Sequence, residues 1–352
     1  MGDAPERESV ERAPDASPGG LSAEQLLLGG EPRYTRVQCA ERAGVGVERA
    51  GALWRSLGFA TPGDDEIVFT DADVDALRAV AGLRNAGVGD VGVELSLTRA
   101  MGQAMARLTE WQVGMLRELV VADADAADHE VTTESGLAAA AALIPGVERL
   151  QRYVWRRHLL AASNRMVASG TGPGETAPLA VGFADVAGFT SLSRGLAEAR
   201  LDEFLEAFEA SASSVVIEHG GRVIKNIGDE IMFTADSARD AADIGLGLAE
   251  RISALDGRPD LHVGLAYGPV LHRLGDVYGT VVNLASRLTA LAQPGTVLVD
   301  RELAAAIGDE PGFRVKRLRR VSVRGFSHLQ PWLLRRGEDN PVPVEPKRTS
   351  AE

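Results

Sequence analysis

The sequence predicts an all-α segment followed by an α/β domain, an α+β sandwich in which helices pack on a sheet. Apolar residues recur at three- and four-residue spacings over residues 21–146, which is the period of a helix. From residue 176 to residue 337, apolar strand-like runs alternate with amphipathic helical runs. Such alternation is typical of a domain in which helices cover a sheet.

The first segment is predicted to be a helical domain with its own core. Leu53, Leu77, Met101 and Met105 belong to its helical stripe and are expected to be buried. The single cysteine, Cys39, is expected to be a buried and unreactive thiol. A linker helix is predicted over residues 147–175, ending at the Gly- and Pro-rich run GTGPGE. Residues 1–20 and 338–352 are polar and aperiodic, so we predict disordered tails.

The second segment begins with APLAVGFADV, which predicts a buried strand, and continues with an amphipathic helix over residues 200–218. The run RVIKNIGDEIMFTA predicts a hairpin that turns at Gly228 and Asp229. A helix over residues 237–255, a strand at LHVGLAYGPVL, a helix from about Val281 and a strand at TVLVD follow. The runs FRVKRLRRVSVRGF and HLQPWLLRR predict closing strands.

The net charge argues against two classes of partner. The 37 Lys and Arg residues against 50 Asp and Glu residues give a net charge of −13, which argues against nucleic-acid and anionic-membrane binding. Residues 31–146 resemble a winged helix-turn-helix of MerR-like regulators, but their 10 Arg and 18 acidic residues (10 − 18 = −8) argue against DNA binding.

No signal peptide or membrane-spanning run is evident, so we predict no membrane insertion and a cytoplasmic location.

Asp185 is the first candidate functional residue. It ends an apolar strand, and burying an unpaired carboxylate costs several kcal/mol. The turn that follows, with Phe189 and Thr190, offers backbone N–H groups at a helix start, where a phosphate would bind. The alternative is a simple helix N-cap.

Asp229 is the second candidate. It lies in the predicted hairpin turn, where ordinary turn chemistry is the alternative explanation. If the two strands are neighbours in one sheet, Asp185 and Asp229 can reach the same pair of cations. Two aspartates without His or Cys are hard oxygen ligands, which suit Mg²⁺ or Mn²⁺ bound together with phosphates. We therefore predict two such ions per active site.

Three motifs together resemble the class III nucleotidyl cyclase catalytic domain. They are FADVAGFTSLS, VIKNIGDEIMF and GDVYGTVVNLASRLTALAQPG, and the resemblance covers about residues 178–336. It implies that Asp185 and Asp229 are metal ligands and that Lys225 and Asp276 select the base. It also implies that Asn283 and Arg287 are the ribose-positioning and transition-state residues. Arg324 falls near a further phosphate-binding lysine of the family and is given no role.

The base-selecting pair makes chemical sense. Adenine presents an acceptor at N1 and a donor at N6; a lysine only donates and an aspartate only accepts. Guanine reverses this edge, so Lys225 and Asp276 favour ATP, although each also fits an ordinary surface residue. Asn283 and Arg287 are four residues apart and share a helix face, where solvated side chains are the alternative. No residue is an obvious general base for the ribose 3′-hydroxyl, and a bound metal can lower its pKa instead.

The resemblance implies an adenylyl cyclase that forms its active sites between two copies of the chain, because one catalytic domain carries all the matched residues. The first segment resembles the regulatory domains of actinobacterial-type soluble cyclases, which respond to acidity or lipids. The alternatives are a guanylyl cyclase, a catalytically silent nucleotide-binding module and a nucleotide-governed transcription factor.

The linker suggests a regulatory contact. It carries five arginines against Glu148, and it could dock on acidic side chains, for which the candidates are Asp123, Asp125, Asp128 and Glu130. A solvated basic helix is the alternative. His158 is the candidate switch, because an ordinary histidine titrates near pH ~6.5.

Overall fold

The computed structural model describes residues 22–85, 87, 90–127, 133–169, 178–253, 260–273, 275–323 and 325–337. The predicted tails, the GTGPGE run, and Asp128, Glu130 and Arg324 lie outside these residues. The chain divides into two compact units, Met1–Ala162 and Ser163–Glu352. None of the described helices combines the length and the apolar composition that a membrane span requires.

The helical prediction for the first segment is confirmed. Two helices begin at Ser22 and Thr35, each of which forms a capping box with a glutamine three residues later. The described helices are α1 (Ala23–Leu28), α2 (Arg36–Ala43), α3 (Val47–Ser56), α4 (Asp71–Asn85), α5 (Val91–Ala127) and α6 (Thr133–Ser169).

A small core holds α2, α3 and α4 together. Cys39, Leu53 and Leu77 are buried in it, as predicted, and burial raises the pKa of the Cys39 thiol to about 11. Met101 and Met105 are exposed, so their predicted burial is wrong. The reason is length: α5 has 37 residues, about 55 Å, and the core described here includes only Leu95 from it.

The predicted boundary between residues 146 and 147 lies inside α6, which continues through Pro145. A proline in a helix removes one backbone donor and bends the helix. A helix of 37 residues keeps its other hydrogen bonds, so Pro145 does not end it.

A seven-stranded sheet organises the second unit, in the order β2-β3-β1-β4-β7-β11-β8. Its strands are β1 (Pro178–Val186), β2 (Arg222–Ile227), β3 (Glu230–Ala235), β4 (Leu261–Pro269), β7 (Thr296–Val299), β8 (Phe313–Arg317) and β11 (Trp332–Arg336). Two short hairpins stand beside it and consist of β5 (Leu271–Arg273) with β6 (Asp276–Tyr278), and β9 (Val321–Val323) with β10 (Phe326–Leu329). The hairpin predicted at Gly228 and Asp229 is present, and β4 and β7 form a parallel pair.

Helices cover both faces of this sheet, which confirms the predicted sandwich. Residues of α8, α9 and α11 pack on one face with Ala180 and Val186 of β1. Residues of α10 pack on the other face with Val181 and Phe183. The helices of this unit are α7 (Phe189–Gly195), α8 (Glu198–Glu218), α9 (Ala238–Ser253), α10 (Thr280–Leu291) and α11 (Arg301–Ile307).

Candidate active site

The end of β1 carries the first predicted metal ligand, Asp185. It lies directly opposite Glu230 on β3 and directly opposite His262 on β4. Directly opposed residues of an antiparallel sheet have their side chains on the same face. The three side chains therefore share the face on which α10 packs. His262 is held by its Nδ1, which donates to the carbonyl oxygen of Ala292 at 2.8 Å.

The turn between β2 and β3 brings Asp229 to Asp185. Gly228 has φ of +63°, in the left-handed region that favours glycine, and this lets the chain reverse. The backbone N–H of Val186 donates to the carbonyl oxygen of Asp229 at 3.2 Å. The carboxyl groups of Asp185 and Asp229 are close enough for the charge of one to act on the other. The structure thus brings together the two aspartates that the sequence proposed as metal ligands.

The carboxyl groups at this corner of the sheet repel one another. Burial, then the charge of Asp229, raises the pKa of Asp185 to about 6. Burial, then the charges of Asp185 and Asp229, raises the pKa of Glu230 to about 7. Sequence reasoning did not select Glu230. The sequence shows only that an acidic residue directly follows the Gly-Asp turn. The strand register is what places Glu230 opposite Asp185.

The donors at this corner fit a hard divalent cation. Asp185 and Asp229 offer carboxylate oxygens, the ligands that Mg²⁺ and Mn²⁺ prefer. Within the described residues, no three or more His, Cys, Asp or Glu side chains form a complete metal site. The pair would therefore leave positions for oxygens of a bound ligand, as Mg²⁺ held jointly with phosphates requires.

Lys225 on β2 and Asp276 on β6 form an ion pair, with Nζ 2.5 Å from Oδ2. The other carboxylate oxygen of Asp276 accepts the N–H of Val277 at 2.8 Å, which orients the carboxylate. The side chain of Lys225 is 42% exposed and that of Asp276 is 24% exposed. Because an exposed ion pair contributes only about 0–1 kcal/mol, a ligand with a matching acceptor and donor can replace it at little cost.

Asn283 and Arg287 lie on the outer side of α10. The helix packs on the sheet through its buried side, which includes Val281, Ala285 and Thr289. Asn283 is exposed and Arg287 is partly exposed, and their four-residue spacing places them on one side of the helix. Both side chains are thus available to a ligand.

Close packing positions α10. A Cβ built on Gly264 of β4 would lie 2.2 Å from the backbone nitrogen of Thr289 and 2.5 Å from the carbonyl oxygen of Ala285. The helix backbone therefore touches the strand directly, because glycine has no side chain.

The remaining predicted residues have different settings. Phe189 begins α7 after Gly188, which has φ of +72°. Its ring is partly buried and stacks on Phe204 at 6.2 Å, so this side chain packs in the core, and Thr190 is exposed. His158 is exposed on α6, and the acidic candidate Asp128 lies outside the described residues.

Comparison with known proteins agrees with this architecture. Residues 173–336 match the adenylate and guanylate cyclase catalytic domain. An adenylate cyclase of Streptomyces coelicolor is 39% identical over 362 residues, covering 94% of this chain and 94% of that protein. An adenylate cyclase of Glutamicibacter nicotianae is 36% identical (90% and 82% covered), and one of Streptomyces griseus is 40% identical (83% and 72% covered).

These relatives are similar to this chain well beyond the catalytic domain, since two of the alignments cover 90% or more of it. The resemblance that the three sequence motifs carry is confirmed. The chain belongs to the class III adenylate and guanylate cyclase family, and its second unit is the catalytic domain of that family.

Proposed function

We propose that the protein is an adenylyl cyclase, which converts ATP into 3′,5′-cyclic AMP and pyrophosphate in a homodimer. The observation that carries the proposal is the ion pair of Lys225 and Asp276. It sets a lone donor beside a lone acceptor, the complement of the adenine edge. The names of the relatives support the same substrate.

The base would enter between these two side chains. Lys225 would donate to adenine N1, and Asp276 would accept from the N6 amino group. Guanine would set its O6 acceptor opposite Asp276 and its N1–H opposite Lys225, so both contacts would be repulsive. Each mismatch would leave a polar group unpaired, at a cost of about 1–3 kcal/mol.

In the reaction, the ribose 3′-oxygen attacks the α-phosphorus, the bond to the bridging oxygen breaks, and pyrophosphate leaves. Arg287 would neutralise charge that develops at the α-phosphoryl group, and Asn283 would orient the ribose. Asp185 and Asp229 would hold two divalent ions, Mg²⁺ or Mn²⁺. Such ions lower the pKa of a bound hydroxyl and neutralise a leaving phosphate.

A product assay tests the substrate. The full chain is incubated with ATP or GTP, each with Mg²⁺ and with Mn²⁺, and the cyclic products are separated. Cyclic AMP should dominate, and the variant with Lys225→Glu and Asp276→Cys should lose ATP use. Preferential cyclic GMP formation would make the protein a guanylyl cyclase, and unchanged ATP kinetics in the variant would remove the base-reading role.

The metal ligands have a matched control. Asp185→Ala and Asp229→Ala should each abolish cyclisation, whereas Asp202→Ala, an exposed aspartate on α8, should not. Activity within about tenfold of wild type in either of the first two variants contradicts the two-metal role.

The composite site is tested by mixing two inactive chains, Asp185→Ala and Arg287→Ala. If each site takes its aspartates from one chain and Arg287 from the other, a mixed dimer has one intact site. Random exchange makes half of the dimers mixed, so about a quarter of wild-type activity should return. No recovery after confirmed subunit exchange would place each site within one chain.

The first unit would then regulate this reaction, with a proton or a lipid as its signal. The proposal rests on the basic run of α6, on which His158 is exposed. A coupling of about 1–3 kcal/mol between the units would change activity roughly 5–150-fold.

A further inference from the structure

A cavity opens in the catalytic unit beside the residues that follow β7. Its volume is about 830 Å³, within the range of small-molecule sites. Its lining includes three cationic and four apolar side chains, and we call it the arginine pocket; these residues are Arg301, Arg317, Arg320, Leu284, Phe326, Leu329 and Trp332. None of the residues proposed above for ATP or metal ions lines it.

Across the described ranges, no carboxylate lies within ion-pair distance of Arg301, Arg317 or Arg320. Like charges gathered in a cavity repel one another, and an anion between them would remove that repulsion.

Gln330 fixes two of these arginines. Its side-chain oxygen accepts from Nε of Arg317 at 3.0 Å and from Nε of Arg320 at 3.3 Å. Its amide nitrogen donates to the carbonyl oxygen of Leu318, which determines which end of the amide faces the arginines. Since both Nε atoms are used, the terminal nitrogens of the two arginines stay available as a fork for an oxyanion. A pre-oriented arginine loses less entropy when it binds a ligand.

The acidic side chains on the wall do not cancel this charge. Asp300 accepts the backbone N–H of Leu303 at 2.9 Å and that of Tyr267 at 3.3 Å, and the charge of Glu302 also acts on it. Burial is the main reason why the pKa of Asp300 rises to about 7, so the pair carries less than two negative charges near neutrality.

The apolar wall adds a second requirement. Phe326, Leu329 and Trp332 line the pocket, so a ligand that fills it must offer an apolar surface beside its anionic group.

From the three arginines and the Gln330 clamp, we propose that the arginine pocket binds a phosphate-bearing small molecule, at a site that none of the proposed substrate residues lines. The phosphate lies between Arg317 and Arg320, with Arg301 at its side. The rest of the ligand packs on Trp332. This proposal does not depend on which nucleotide the enzyme cyclises.

The test is calorimetric titration of the full chain with pyrophosphate, in EDTA and at constant ionic strength, with sulfate and citrate as comparison anions. Pyrophosphate should bind more tightly than either. Arg317→Gln and Arg320→Gln should each weaken binding roughly tenfold or more, because a hydrogen bond to a charged group contributes about 1.5–3 kcal/mol. Arg319→Gln is the matched control: it removes the same charge from the same loop, does not line the cavity, and should leave affinity unchanged.

Two further variants separate position from charge. Gln330→Ala keeps every charge and should still weaken binding, by a smaller factor than loss of an arginine. Arg287→Ala changes a residue proposed for ATP, and it should keep the component of pyrophosphate binding that Arg317→Gln weakens. Circular dichroism spectra and thermal midpoints equal to those of wild type would show that the variants are folded.

Several results would overturn the proposal. They are the absence of binding, equal effects of the substitutions at Arg317 and Arg319, a preference for citrate, and loss of binding in Arg287→Ala. The last result would place the anion at the substrate residues instead.

Discussion

Without metal ions, the folded protein should become less stable as the pH rises from about 5 to about 8, and Asp185 should be a main cause. The structure raises the pKa of Asp185 to about 6 and that of Glu230 to about 7, above their ordinary values of 3.8 and 4.5. Between the ordinary and the raised values, the folded state binds more protons than the unfolded state. Stability is therefore greatest at the acidic end of this range and is lost as the pH passes through the raised values.

The magnitude follows from these values. One pKa unit corresponds to about 1.4 kcal/mol. Part of the stability that the raised pKa of Asp185 contributes is already lost below pH 5. The loss from Asp185 alone between about pH 5 and pH 8 is about 1–2 kcal/mol. Glu230 contributes in the same direction, but its shift depends partly on the charge of Asp185, so the two losses do not add.

The assay is urea denaturation in EDTA at several pH values, for wild type, Asp185→Asn and Asp202→Asn. Asp185→Asn should flatten the pH dependence and should be more stable than wild type at about pH 8, because it removes a carboxylate from the repelling group. Asp202→Asn changes an exposed aspartate in the same way and should follow wild type. Asp300, whose pKa burial also raises to about 7, contributes equally to all three proteins.

Parallel stability curves for wild type and Asp185→Asn would refute this electrostatic reasoning. Mg²⁺ supplies an independent arm. It should raise the unfolding midpoint of wild type more at about pH 8 than at about pH 5, since protons and metal ions compete for the same oxygens. The Mg²⁺ effect should be absent in Asp185→Asn.

Three further outcomes are expected. Gly264→Ala should destabilise the catalytic unit by about 1–3 kcal/mol or more in urea, because its Cβ would meet the backbone of Thr289. Gly195→Ala is the control and should cost far less, because there is open space around that position. Similar unfolding midpoints for the two variants would mean that α10 can shift freely. Cys39 is 1% exposed with a pKa raised to about 11, so a thiol reagent should modify it only after denaturation, and rapid labelling of native protein would contradict its burial. If protonation at His158 relieves inhibition, the full chain should be more active near pH 6 than at alkaline pH, and the profile of His158→Ala should be flatter; superimposable profiles would leave a lipid as the better candidate signal.

Local patterns predicted most of the catalytic fold. Gly228 and Asp229 between two apolar runs specify a hairpin by themselves, and the structure has it there. The same reasoning missed α11, which follows β7 directly and has only seven residues. Its N-cap, Asp300, was included in the strand run TVLVD, because a cap residue cannot be distinguished from a strand end without the turn that follows.

The contact between Lys225 and Asp276 was predictable only through the family resemblance. Lys225 and Asp276 are 51 residues apart, and no spacing rule brings them together. The position of Glu230 could be predicted neither from local patterns nor from the family resemblance. Its position opposite Asp185 depends on which residues of β1 and β3 pair, and a shift of one residue would move its side chain to the other face.

The pairing of β1 with β3 also explains why this corner of the sheet lowers the stability of the folded protein. Burial already disfavours the ionised forms of Asp185 and Glu230, and the charge of Asp229 disfavours them further. A fold selected only for stability would carry an amide at Asp185, which keeps the shape and removes the repulsion. An aspartate at this position is instead favourable when cations are bound, because opposite charge reverses the sign of each interaction. The instability of the metal-free protein and its affinity for metal ions thus have the same cause, the clustered carboxyl groups. Asp185→Asn should therefore change both.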